Sequence, residues 1–116
     1  MDADITPAEA ERGAREEGWL IVDVREPAEL DEDGRFPGAR HVAMGALNEA
    51  AESIPRDRPV VFACRTGARS AMAAEAFRMA GWDAHNLAGG IEAWSAAGLA
   101  LEPEGAPPSD GGAGSG

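Results

Sequence analysis

The chain has one cysteine in 116 residues and no lysine; all ten of its bases are arginine. A lone cysteine rules out an internal disulfide. It also leaves no second thiol to resolve an oxidised or sulfur-loaded first one. No apolar run approaches the length of a membrane span, so no membrane partner is expected. Basic charge is scarce too. The 10 arginines face 21 acids, a net charge of −11, which argues against nucleic acid as a partner. The two histidines, His41 and His85, have no metal-ligand spacing with Cys64, so neither a metal nor another cofactor is expected. There is no internal repeat. The N-terminal stretch "MDADITPAEA" is acidic and polar, unlike a secretory or transit peptide, and a cytoplasmic protein is expected. The missing lysine is most simply an effect of genomic base composition. An acidic, lysine-poor surface suited to high salt is the alternative.

What remains is an ordinary globular composition, 44% apolar, in a length that suits one domain. Residues 102–116, "EPEGAPPSDGGAGSG", hold too little apolar surface to offset their ordering entropy and are expected to be a disordered tail. The domain is then 1–101. Thr6, Pro7 and Glu9 spell a capping box with proline at the first helical position, so a helix is predicted to about Glu17. "WLIVDV" reads as a buried strand, "EPAELDEDG" as a short helix opened by Pro27, and His41 to Ala43 as a brief strand. "GALNEAAESI" reads as a helix ended by Pro55.

"PVVFA" is a second strand whose unbroken apolar run suits a position covered on both faces. Ala73, Ala76, Phe77 and Ala80 recur at helical spacing. "DAHNL" is a third strand, Gly89–Gly90 a turn and "IEAWSAAG" a last helix. Strands alternating with helices predict an α/β fold, a mostly parallel sheet flanked by helices on both faces.

In such a sheet, ligands bind beyond the carboxyl ends of the strands. Cys64 stands at that end of "PVVFA", just before a predicted helix N-terminus, in "CRTGARS". The helix dipole and free amides there favour an anion. A loop of small residues around Gly67 lets several N–H groups turn inward. Such surroundings lower a thiol's pKa, and Arg65 and Arg69 add positive charge. The plain alternative is a structural core cysteine. A core cysteine would sit within "VVFA", whereas the apolar pattern stops at Ala63, so the reactive reading is favoured. Thr66 and Ser70 are candidates to cap the following helix. Asp23 closes an apolar strand and is read as holding the loop. Arg69 is read either as bracing the loop against a carboxylate such as Asp23 or as a solvated arginine at the helix start. Arg25 and Glu29 have the spacing of an i,i+4 pair. His41 and His85 are read as edge or surface positions, and Trp19, Trp82 and Trp94 as packing residues.

Loops of tyrosine-phosphatase and arsenate-reductase type use cysteine, five residues, then arginine. Here Ser70 holds that place, and Arg69 comes one residue early. A shorter loop encloses a smaller anion, such as one sulfur atom on the thiolate. The run Cys64, Gly67, Arg69, Ser70 resembles the active-site loop of rhodanese-like sulfurtransferases. "LIVDVREPAEL", "GRFPGARHV" and "GWDAHNLAGGIEAW" resemble three further segments of that family, in order and spacing. Arg35 departs from its usual histidine.

The resemblance implies a five-stranded rhodanese-like fold. It implies transfer of sulfane sulfur from an anionic, thiosulfate-like donor through a Cys64 persulfide. The acceptor would be cyanide, a thiol or a protein. The loop Arg65, Thr66, Gly67, Ala68, Arg69 and Ser70 would bind substrate and persulfide, with Asp23 and Arg25 in support and Arg65 steering the donor. The rivals are a non-catalytic module of the same fold, a sulfur-relay carrier, and a cysteine-dependent phosphatase or arsenate reductase.

Overall fold

The computed structural model describes residues 1–102. Five strands, β1 (Asp4–Ile5), β2 (Leu20–Asp23), β3 (Arg40–His41), β4 (Val60–Ala63) and β5 (Ala84–Leu87), form one sheet in the order β1-β5-β4-β2-β3. Every pairing between these strands is parallel. The helices are α1 (Pro7–Glu17), α2 (Pro27–Asp33), α3 (Leu47–Ala50), α4 (Ala68–Met79) and α5 (Gly90–Ala96).

The strand pleat explains the two-sided core. Successive side chains point to opposite faces. Along β4, Val60 and Phe62 enter one apolar cluster, with Val22, Leu47, Ala74 and Phe77. Val61 and Ala63 enter the other, with Ala10, Ile91 and Trp94. Both clusters exclude water, so β4 reads as a continuous apolar run rather than an alternating one. Cys64 continues the alternation beyond the strand end and falls on the α4 side.

The α1 start forms as its sequence predicts. Thr6 and Glu9 cap each other's backbone N–H groups at 3.1 and 3.0 Å, and Pro7 opens the helix. Several local features differ from the sequence reading. The two-residue strand β1 is absent from the sequence reading because two residues carry no periodicity. The segment expected as one helix before Pro55 is the four-residue α3 between 3-10 turns at Met44–Ala46 and Ala51–Ser53. The brief strand near His41 lies at Arg40–His41.

The α4 face is also displaced. Its buried residues are Ser70, Ala73, Ala74 and Phe77, whereas Ala76 and Ala80 are exposed. With alanine scattered around the helix, only Phe77 marks the inner face, and periodicity alone misplaces the rest. Glu102, counted with the tail, pairs with Arg35 through backbone hydrogen bonds of 3.0 and 2.8 Å. The rest of that tail lies outside the described residues. No described helix is long and apolar enough to cross a membrane.

Candidate active site

Cys64 leaves the end of β4, and three residues later Gly67 opens α4 with φ +101°. That backbone conformation is costly for any residue with a Cβ. A Cβ there would also lie 3.1 Å from the Gly89 nitrogen. The tight return points the Gly67 amide back at the thiol, N to Sγ 3.2 Å. One helical turn on, the Ser70 hydroxyl lies 3.3 Å from the same sulfur.

The end of the apolar pattern at Ala63 argues against a core position for the thiol. Instead, Cys64 is 1% exposed and packs in the cluster that contains Val24 and Phe62. Arg65, Thr66 and Ala68 face outward. The pattern of the strand carries the thiol inward, while the polar side chains of the loop point away. What sets it apart from an inert core thiol is the set of donors on Sγ. Burial pushes the Cys64 thiol up. A Ser70 hydroxyl turned to Sγ and the amides of Ser70, Gly67 and Thr66 pull it down, and with that hydroxyl bond made the balance lies below the ordinary value. The share added by the hydroxyl depends on where its single proton points.

Neither Thr66 nor Ser70 caps α4; Gly67 holds that position without a side-chain bond. Ser70 is fully buried and turned inward, donating to Asn86 Oδ1 at 2.6 Å. Asn86 in turn donates from Nδ2 to Asp4 Oδ1 at 3.0 Å. Neither Asn86 nor Asp4 stands out by motif. The available signal is an asparagine inside a buried strand, where a polar side chain needs a partner.

The ion pairs are exchanged relative to expectation. Arg69 does not reach for Asp23; it grips Glu29 with two bonds of 2.8 Å, tying α4 to α2. Arg69 holds the Glu29 carboxyl down at about 2 against its burial. Asp23 is taken by Arg25, two residues on, at 2.7 Å, with both side chains buried. Arg25 also donates to the carbonyl of Gly34 at 2.9 Å and lies over the Phe36 ring, 5.6 Å from its centre. It reaches only the backbone carbonyl of Glu29, at 3.4 Å. The i,i+4 spacing misleads because Arg25 lies outside α2, in the turn ahead of it. A buried guanidinium requires several partners, and this turn provides them.

His41 bonds the Arg25 carbonyl at 2.6 Å from the edge strand. His85 is buried on β5, not at an edge, between the Asp2 carbonyl and the Asp83 carboxylate, both at 2.6 Å. Among the described residues no cluster of histidine, cysteine or acids has the arrangement of a metal site.

The first turn of α5 closes the loop from the other side. The Ile91 amide donates to the Cys64 carbonyl at 2.9 Å, and the Glu92 amide to the Arg65 carbonyl at 3.2 Å. Arg65 meets Glu92 at 3.3 Å, both 59% exposed. Such a pair is weak, and its guanidinium can exchange partners.

The family model of the rhodanese-like domain matches residues 6–97. A protein of Allochromatium vinosum named sulfurtransferase is 41% identical over 98 residues, 83% of this chain and 91% of its own length. A thiosulfate sulfurtransferase, GlpE, of Pseudomonas aeruginosa is 34% identical, over 78% of this chain and 81% of its own. Among solved structures, a rhodanese-related protein from Thermoplasma volcanium superposes with a TM-score of 0.79 at 27% identity, covering 86% of this chain and 97% of that one. With its five parallel strands and its cysteine loop between β4 and α4, the chain belongs to the rhodanese-like domain family.

Proposed function

We propose that the protein is a rhodanese-type sulfurtransferase with Cys64 as nucleophile. The observation that carries this reading is the sulfur at a strand end with the Gly67 amide 3.2 Å away, in a chain whose relatives bear that name. The Cys64 thiolate attacks the outer sulfur of a thiosulfate-like donor. The S–S bond of the donor breaks, sulfite leaves with the electron pair, and Cys64 holds a persulfide. The amides of Thr66, Gly67 and Ser70, which face Sγ, stabilise its terminal sulfur as an oxyanion hole stabilises oxygen. Arg65, loosely held by Glu92, draws in the donor's anionic end. Cyanide or a thiolate then attacks the outer sulfur and releases the Cys64 thiolate. An external acceptor is required, because the chain has no second cysteine.

Burial of Cys64 at 1% exposure favours the rival, a non-catalytic module of the same fold. Intact mass after incubation with thiosulfate separates the two. A gain of one sulfur, lost on adding cyanide and absent in Cys64→Ser, is expected for transfer. No adduct from either thiosulfate or 3-mercaptopyruvate leaves the binding module.

A further inference from the structure

The Ser70 hydroxyl has one proton and two acceptors within reach: Cys64 Sγ at 3.3 Å and Asn86 Oδ1 at 2.6 Å. It cannot serve both. The choice is made two residues further along the network. Asp4 lies on the edge strand, and its carboxylate only accepts. It faces the Asn86 side chain at 3.0 Å, so the Asn86 amide nitrogen must point to Asp4 and its oxygen to Ser70. An oxygen 2.6 Å from a hydroxyl claims that proton. The Sγ–Oγ contact is then left with a lone pair on the serine side. That suits a thiol donating S–H to Oγ and opposes a thiolate.

We propose that Asp4 and Asn86 are positioning residues that hold the Ser70 proton away from Cys64, so that the resting thiol stays more protonated than its amide donors alone would make it. Ser70 and Cys64 are 0% and 1% exposed and Asn86 is 6%, so water does not stand in for these three, whereas Asp4 is open to solvent. The relay bears on sulfur transfer only if Cys64 is the nucleophile proposed above. The same thiolate then carries one hydrogen bond fewer, which makes it scarcer and more nucleophilic. Nucleophilicity falls as a thiol's pKa falls, with a Brønsted slope of about 0.4–0.5.

Other charged and titratable groups surround the network and are not altered by the substitutions. Near the thiol they are Arg69 of α4 held by Glu29 of α2, the Asp23–Arg25 pair at the end of β2, and the exposed Arg65–Glu92 pair. Near Asp4 they are Asp2 and the His85–Asp83 contact.

Thiolate absorbance against pH tests the relay without any sulfur donor. The chain has one cysteine and no tyrosine, so the rise reports Cys64 alone. Asn86→Ala frees the Ser70 proton for sulfur, and the thiolate-to-thiol ratio below the midpoint should rise about threefold or more. Asp4→Ala lets the Asn86 amide turn over and should shift the titration the same way by less. In a Ser70→Ala background, Asn86→Ala should have no effect. Reaction of the fully ionised Asn86→Ala thiol with iodoacetamide should be slower than that of the parent.

A midpoint that rises or stays put in Asn86→Ala, with parental melting and tryptophan fluorescence, overturns the relay. If Asn86→Ala does not fold, an unmoved midpoint in the exposed Asp4→Ala variant overturns it instead. Persulfide formation with unshifted titrations would sink the relay and keep the transferase. Shifted titrations without an adduct would do the reverse.

Discussion

Glu29 shows how one side chain ties the cysteine loop to the rest of the fold. It receives both Arg69 nitrogens at 2.8 Å and is 21% exposed, while Arg69 is 38% exposed. The pair therefore fixes the first turn of α4, which carries Ser70, against α2. The Glu29 carboxyl is held at about 2 in the folded protein, Arg69 being the main cause. In the unfolded chain it titrates near 4.3. A depressed carboxylate adds stability that is complete above the unfolded value and is lost as pH falls through the folded one. The Glu29 contribution should thus be constant above about pH 5 and decline between about pH 5 and 2. Because the arginine is more than one-third exposed, solvent screening reduces it to about 1 kcal/mol. Urea unfolding of Glu29→Gln should show that loss at neutral pH and almost none near pH 2. An equal loss at both pH values would show that the charge of Glu29 is not what matters.

At the scale of elements, α5 acts as a clamp on the loop that β4 and α4 define. Its first amides hold the carbonyls of Cys64 and Arg65. That approach requires glycine at position 90. The residue has φ +59°, and a Cβ there would fall 2.5 Å from the Arg65 and Cys64 backbone atoms. Backbone cannot yield as a side-chain tip can. Gly90→Ala should therefore cost about 2–4 kcal/mol in urea unfolding. It should also slow persulfide formation beyond what that loss predicts, because the loop itself is displaced. A variant as stable as the parent would show that α5 only rests on the loop. The Gly89–Gly90 turn is legible in the sequence, as are the strands at β2, β4 and β5 and the capping box of α1. All are short-range signals: apolar runs, proline, glycine. The cysteine loop is legible for the same reason. What escapes is set by tertiary geometry. Arg25 takes Asp23 because a turn folds it back. Arg69 takes Glu29 because α2 lies across from α4. Asn86 meets Ser70 and Asp4 because β5 lies between α4 and the edge strand. No local spacing encodes those three meetings.

Over the whole molecule, charge and site pull in opposite directions. The net charge of −11 repels an anionic donor from a distance. Near the loop, Arg65 and Arg69 attract it, but each already faces a carboxylate, Glu92 and Glu29. The local attraction is therefore partly neutralised, while the distant repulsion is not. Screening acts first on the longer range. The Debye length shrinks from about 30 Å at 0.01 M salt to about 10 Å at 0.1 M. Adding neutral salt across that interval should first raise the second-order rate of persulfide formation with thiosulfate. Arg65→Gln removes a local attraction and leaves the molecule more negative by one charge, so its rate should be lower throughout and its rise with salt steeper. The measurement is stopped-flow or quenched mass analysis at a fixed pH, with an uncharged alkylating agent as control. A rate that falls from the first addition of salt would mean that the exposed guanidinium of Arg65 outweighs the field of the whole protein. In that case the acidic surface has no part in choosing the donor.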